Sequence, residues 1–278
     1  MKKLIIIILL LLVTVPAVVA GLLGYAYFEA GWLAVRRVDF VNLKVPAAFE
    51  GTTIAFLTDI HCRRFFPRKK VRDLVEKVNN LKPDLILLGG DNVSGHWFLA
   101  PVYAELKNLK APLGVYGVPG NHDYWAHIEL TRKAMKDARI SLLENRAVWI
   151  KKGGDRIRLG GVGDWWEGTQ DLQATMQGTK KNDFVLLLSH NPDYLETLPK
   201  DGPDLVLCGH THGGQLTLFG LWSPFVPSHF GDKYRSGRKE IKSGTAFISN
   251  GIGTVGLPLR FCARPEIYFI TLKKQDRP

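Results

Sequence analysis

Between Thr52 and Cys208, short apolar runs that end in Gly, Asp, Asn or His alternate with stretches of helical spacing, and few folds accommodate that rhythm. Residues 52–58, 84–88, 114–118, 184–189 and 205–208 are β-branched or leucine-rich without polar alternation, as strands buried on both faces require. Residues 68–81, 101–109 and 128–138 between them carry apolar side chains at helical spacing, so the chain reads βαβαβα with a parallel sheet. After Ile140 the pattern shortens: residues 147–151, 156–159, 246–249 and 266–272 are separated by glycines and predict a second sheet packed on the first, with helices outside. Residues 213–240, rich in Gly, Pro and aromatics, read as a long functional loop.

The 278 residues are 46% hydrophobic and 23% charged, enough to bury a sizeable core, which excludes a disordered chain or a small disulfide scaffold. Lysine and arginine total 37 against 26 acidic residues, a formal charge of +11 that favours acidic partners such as phosphates, nucleic acid or anionic lipid. Cys62, Cys208 and Cys262 cannot all pair within one chain, and none stands at a C-x-x-C or zinc-finger spacing.

Lys2 and Lys3 precede an uncharged, almost wholly apolar segment from Leu4 to Phe28, long enough to cross the ~30 Å hydrocarbon core as a helix. The small residues before position 21 would also suit a signal peptide cleaved after Ala20. The apolar stretch runs on through Tyr25 and Tyr27 to Trp32, the aromatic end of a span, so an uncleaved single-pass anchor over residues 1–35 ahead of a catalytic domain over 36–278 is expected. Lys2 and Lys3 face Arg36, Arg37 and Lys44 across it, so charge is nearly balanced; the expected location is the cytoplasmic (inner) membrane, on its cytosolic face.

The strand ends carry the chemistry. They read Thr58-Asp59-Ile60-His61, Gly89-Gly90-Asp91, Gly120-Asn121-His122-Asp123, Ser189-His190 and Gly209-His210-Thr211-His212, and hold five of the eight histidines. Carboxyl ends of strands in an open α/β sheet line one crevice, so all five clusters can meet. Aspartate, asparagine and histidine without cysteine form an oxygen and nitrogen shell for Mn, Fe, Zn or Co rather than a thiolate or all-oxygen Mg site. One bridging carboxylate would hold two ions about 3.5–4 Å apart. In D-x-H and H-x-H on extended chain the flanking residues point to one side, and glycines beside Asp91, Asn121 and His210 leave space there.

The order D-x-H, G-D, G-N-H-D, H and G-H-x-H, spread from Thr52 to Leu272, resembles the calcineurin-like metallophosphoesterase superfamily. The resemblance implies a four-layer α/β/β/α sandwich and hydrolysis of a phosphodiester or pyrophosphate by in-line attack of water, without a covalent enzyme intermediate. It implies two divalent cations, with Mn the expected metal. Asp59, His61 and His212 would hold one, Asn121, His190 and His210 the other, and Asp91 would bridge them. His122 matches the family's histidine that stabilises the transition state or protonates the leaving oxygen, and Asp123 is placed to orient it or, alternatively, to cap the helix that follows. Ser94 departs from the family's G-D-x-x-D/N pattern, which leaves the partner of His122 open.

Arg260-Phe261 and Arg264-Pro265-Glu266 resemble the C-terminal signature of a membrane-associated bacterial subgroup that includes enzymes resembling UDP-2,3-diacylglucosamine pyrophosphatases of lipid A synthesis. The expected partners are therefore a membrane and a phosphorylated small-molecule or lipid substrate. Arg63 and Arg64, ahead of Arg68, Lys69, Lys70 and Arg72, would reach a second phosphate or anionic head groups, or else form a solvated basic loop. Trp165, Trp166 and residues 219–230 would cover a lipid or base moiety, or else pack in the core. His96, His127 and His229 stand outside any motif and read as surface histidines. A nuclease or cyclic-nucleotide phosphodiesterase would use the same metals, and outside enzymes a metal-stabilised membrane scaffold is the rival.

Overall fold

The computed structural model describes residues 2–275. Lys2–Gly31 forms helix α1, whose apolar side chains stand exposed along almost its whole length. Its 30 residues span about 45 Å at 1.5 Å per residue, and it is long and apolar enough to cross a membrane. Residues Ala34–Asn42 (β1), Thr53–Leu57 (β2), Leu85–Leu88 (β3), Val115–Gly117 (β4) and Ser141–Leu142 (β5) belong to one six-stranded sheet. A second holds Arg146–Lys152 (β6), Asp155–Gly161 (β7), Val185–Leu188 (β8), Leu205–Cys208 (β9), Gly237–Glu240 (β10) and Thr245–Ile248 (β11). The last strand, Glu266–Lys274 (β12), returns to the first sheet between β1 and β2.

Alternation along fully buried strands decides what each face covers. Ala55, Leu57, Ile86 and Leu88 meet helices α2 (Arg68–Asn80), α3 (Leu99–Leu106) and α4 (Asn121–Asp137) on the outer face of the first sheet. In α2 the residues Val71, Leu74, Val75 and Val78 form the inward stripe, at the i, i+3, i+4, i+7 spacing of one helical face. Ile54, Phe56, Leu85 and Leu87 point the other way, into a core shared with Leu159, Leu186, Leu188, Leu205 and Leu207 of the second sheet. Beyond that sheet, Leu187, Val206 and Ile248 pack under Tyr194, Leu195 and Leu198 of the 3-10 turn Pro192–Thr197 and its continuation. With the five-residue helix α5 (Leu172–Met176) this makes the fourth layer, much thinner than the first.

Two expectations are corrected. Residues 266–272 sit in the first sheet, not the second, because Tyr268 to Thr271 pair antiparallel with β2. Helix α4 starts at Asn121, seven residues before the predicted 128, with a break at His127 (φ 155°). Turns and β10 interrupt the predicted loop 213–240, leaving 215–230 irregular.

Candidate active site

Every strand-end cluster lies at the same end of the two sheets. Asp59 and His61 follow β2, Asp91 follows β3, and Asn121 follows β4 as the first residue of α4. His190 follows β8, and His210 and His212 follow β9. The chain at the paired motifs is not extended as the D-x-H reading supposed. Asp59, His61, Asp91, His210 and His212 all adopt left-handed φ between 47° and 70°. Such a conformation costs a non-glycine residue roughly 1–3 kcal/mol and persists where its surroundings impose it. Here it curls each strand end so that the side chains turn inward.

Side-chain atoms that could hold a metal gather in three overlapping groups: Asp59, His61 and His212; His61, Asp91 and the half-buried His122; and Asp91, His190 and His210. Oδ2 of Asp91 lies 3.5 Å from His61 Nε2 and 3.3 Å from His190 Nε2, between the first and last groups. Its Oδ1 accepts the backbone N–H of His122 at 2.8 Å. His61 Nε2 stands 3.1 Å from His212 Nε2, which is 3.4 Å from Asp59 Oδ1. His190 is oriented by a 2.7 Å hydrogen bond between Nδ1 and the Gly89 carbonyl, so Nε2 faces the cluster. Asn121 Oδ1 and His210 Nε2 are buried acceptors without a hydrogen-bond partner. Unpaired buried acceptors are costly, and these converge where a cation would satisfy them.

Electrostatics favour the same occupant. Burial pushes Asp59 up to about 6, with the neighbouring Asp91 charge adding to it and His190 opposing. Burial also pushes Asp123 up to about 7, again aided by Asp91. Burial lowers His61 and His210 to about 3, leaving neutral rings with lone pairs to offer. At Asp91 burial is outweighed by the facing His190, His61 and His122 rings, which hold its carboxyl below the ordinary range. Burial works against charge on His190 too, but the facing Asp91, Asp59 and Asp164 carboxylates raise it well above the ordinary histidine range, so the buried carboxylates here draw positive charge to themselves. The space is kept by glycine: a Cβ on Gly120 would lie 2.3 Å from Asp91 Oδ1, and one on Gly209 2.3 Å from Asp59 Oδ2.

His122 is half-buried beside this cluster, its ring 4.6 Å edge-on from His61 and 4.6 Å from Trp125. Asp123 does not orient it. Its carboxylate accepts the backbone N–H groups of Asp91 (2.7 Å), Asn92 (3.2 Å) and Gly120 (3.0 Å), which caps α4 and ties it to the Asp91 turn. Ser94, the departure from the family pattern, lies 2.9 Å from His61 Nδ1 and so partners a ligating histidine rather than His122. Arg63 is half-buried and donates to Thr254 Oγ1 at 2.9 Å, while Arg64 is exposed. His96, His127 and His229 are exposed, as read.

Asn121, His122, Trp125, Trp166, Phe225 and Val255 line a cleft of about 370 Å³ together with the ligating side chains. Trp166 meets His210 edge-on at 4.3 Å, whereas Trp165 packs on Tyr194. Sequence reasoning gave Arg260 no role. It is wholly buried and donates to the carbonyls of Asn250 (2.8 Å), Gly253 (3.2 Å), Ala263 (2.7 Å) and His212 (3.3 Å). It thereby fixes the loop whose Gly251 backs onto Asp59. Only the motif around it signalled its importance; no pattern in the sequence marks an arginine as buried.

Residues 52–214 match the calcineurin-like phosphoesterase family model. A metallophosphoesterase of Bacillus subtilis, YkuE, is 29% identical over 92% of this chain and 91% of its own length. The phosphodiesterase YaeI of Escherichia coli is 32% identical over 90% and 92%. A zebrafish (Danio rerio) relative described as a transmembrane protein with metallophosphoesterase domain is 29% identical over 86% of this chain and 57% of its own length. With the clustered Asp and His side chains that divalent metals require, these matches make the chain a member of the calcineurin-like phosphoesterase family, hydrolases that act on phosphoesters.

Proposed function

We propose that the chain is a membrane-anchored phosphodiesterase or pyrophosphatase acting on an amphipathic lipid such as UDP-2,3-diacylglucosamine. The anchor comprises residues 1–35 and the catalytic domain 36–278, on the cytosolic face of the inner membrane. What carries the reading is the position of Asp91, whose Oδ2 faces His61 on one side and His190 on the other. In this reading Asp59, His61 and His212 hold one cation, Asn121, His190 and His210 the second, and Asp91 both. That mixed oxygen and nitrogen shell suits Mn, Fe, Zn or Co, and Mn is the ion this reading assigns. Bound there, the cations would supply Lewis acidity, lowering the pKa of water and neutralising charge that builds on the phosphoryl oxygens.

The protein's own groups do the rest. His122 faces the cleft from beside the cluster and donates a hydrogen bond or proton to the leaving oxygen; burial lowers its pKa, while the nearby Asp91 charge opposes that. Trp125, Trp166, Phe225 and Val255 exclude water around the remainder of the substrate and suit an apolar group. The membrane reading is supported by the exposed apolar length of α1, and the zebrafish relative's description agrees with it.

His122→Ala tests the reading. Turnover is expected to fall by about 10²–10⁴-fold with bound metal unchanged by elemental analysis, as loss of a general acid requires. Retained turnover would remove His122 from the chemistry. Assayed side by side, the lipid pyrophosphate is expected to turn over faster than single-stranded DNA or cyclic AMP; the reverse order would overturn the substrate.

A further inference from the structure

Residues 216–227 and 251–259 contain no charged side chain, in a chain whose overall composition is 23% charged. Large apolar groups on these two segments nevertheless point outward: Leu221 is 82% exposed, Phe225 73%, Phe219 72% and Leu257 66%, with Leu218 and Trp222 above half. Contiguous exposed apolar groups of this size mark a surface that meets something apolar.

Their attachment identifies what that is. Thr217 N–H donates to the Phe261 carbonyl at 3.0 Å, and the Phe219 ring lies 6.5 Å from that of Phe261. Phe261 in turn meets Tyr25 of α1 edge-on at 5.5 Å. The neighbouring backbone is stitched to the same helix: the Glu29 carboxylate accepts N–H groups of Cys262 (3.0 Å) and Ala263 (2.8 Å), and the Ala26 carbonyl accepts that of Arg260 (2.9 Å). These contacts fall within the last two turns of α1, past the ~20 residues that fill the hydrocarbon. Tyr25, Tyr27, Phe28 and Trp32 there form an interfacial aromatic end, and Arg264 lies 3.8 Å over the Trp32 ring. The uncharged segments are thus held at the depth of the membrane surface. Phe225 and Val255 belong both to them and to the cleft wall.

We propose that segments 216–227 and 251–259 insert into the bilayer beside α1, so that the cleft opens at the membrane surface and an acyl chain passes from lipid to the site without crossing water. This rests on reading α1 as a membrane span. The test uses the full chain with Cys262→Ser, reconstituted in phosphatidylethanolamine and phosphatidylglycerol vesicles containing doxyl-labelled lipid. An environment-sensitive fluorophore is placed singly by Leu221→Cys, Phe219→Cys, Val13→Cys within α1, or Lys181→Cys before β8, at the opposite end of the sheets. Probes at 221, 219 and 13 are expected to lose most of their emission to the doxyl groups, and the probe at 181 to keep it. Quenching at 13 with none at 221 and 219 would overturn the insertion while leaving the anchor. Blue-shifted but unquenched probes at 221 and 219 would mean a protein cover, including a second copy, and also overturn it. No quenching at 13 either would bring down the anchor reading and this proposal together.

Discussion

A hydroxyl 2.9 Å from Nδ1 of His61 governs which nitrogen that ring offers. If Ser94 accepts the Nδ1 proton, the lone pair resides on Nε2, the atom that faces Asp59, Asp91 and His212. A carboxylate at this position would add a further negative charge; serine fixes the tautomer without it. A group that holds a metal-binding histidine in its ligating tautomer contributes about 10–100-fold in metal affinity. Ser94→Ala is therefore expected to weaken metal binding in that range while leaving the thermal midpoint of the metal-free chain almost unchanged, read by titration against a competing chelator. Unaltered affinity would show that the tautomer is fixed elsewhere. The candidate ligands themselves are legible in the sequence because each follows a short apolar run, as a buried strand opening on the crevice would. The tasks of Asp123 and Ser94 are not legible. They depend on which backbone amide or ring nitrogen lies opposite, and those partners, Asp91 and Asn92 for one and His61 for the other, stand about 30 residues away.

Among elements, the junction of α1 with the sheets is stiffer than a tether. Glu29 is 2% exposed and satisfies two backbone donors, while β1 begins three residues after the helix ends and pairs along its whole length with β12. Removing the carboxylate strands both donors, at about 1–3 kcal/mol each. Glu29→Ala is expected to broaden the distance distribution between spin labels at Ala20→Cys and Lys181→Cys on the Cys262→Ser background. A distribution as narrow as the parent's would mean that Arg264 on Trp32 and the β1 pairing hold the helix alone. The same region shows where element reading fails. β1 carries Arg36, Arg37 and Asp39 outward, as an edge strand should, whereas from the sequence Arg36 and Arg37 read as a membrane flank. β12 lies in the first sheet and not in the second that its local pattern predicts, because strand order is set by pairing across more than 200 residues, which no local pattern encodes. Helix α4 begins before its apolar spacing does, because the Asp123 carboxylate accepts the Gly120 N–H and starts the helix at Asn121, ahead of the break at His127.

At the scale of the whole molecule, the ligating residues are shared between the sheets. Asp59, His61, Asp91 and Asn121 leave the first sheet; His190, His210 and His212 leave the second. Each proposed ion would take ligands from both, so bound cations would cross-link the open end of a sandwich that is otherwise held chiefly by the apolar core between the sheets. They would also satisfy the buried acceptors Asn121 Oδ1 and His210 Nε2, which have no hydrogen-bond partner. A ligand bound only by the folded state adds about 2.7 kcal/mol at 100 times its dissociation constant. Stripping metal with a chelator is therefore expected to lower the thermal midpoint by several degrees and to leave the far-ultraviolet circular dichroism of the folded chain in place. Mn should restore the midpoint at about two ions per chain by elemental analysis. Mg at the same concentration should restore little, since four histidine nitrogens among the seven ligands suit it poorly. Equal rescue by Mg would mean that oxygen atoms dominate the shell, and saturation at a single ion would remove Asp91 from its bridging place between the two sheets.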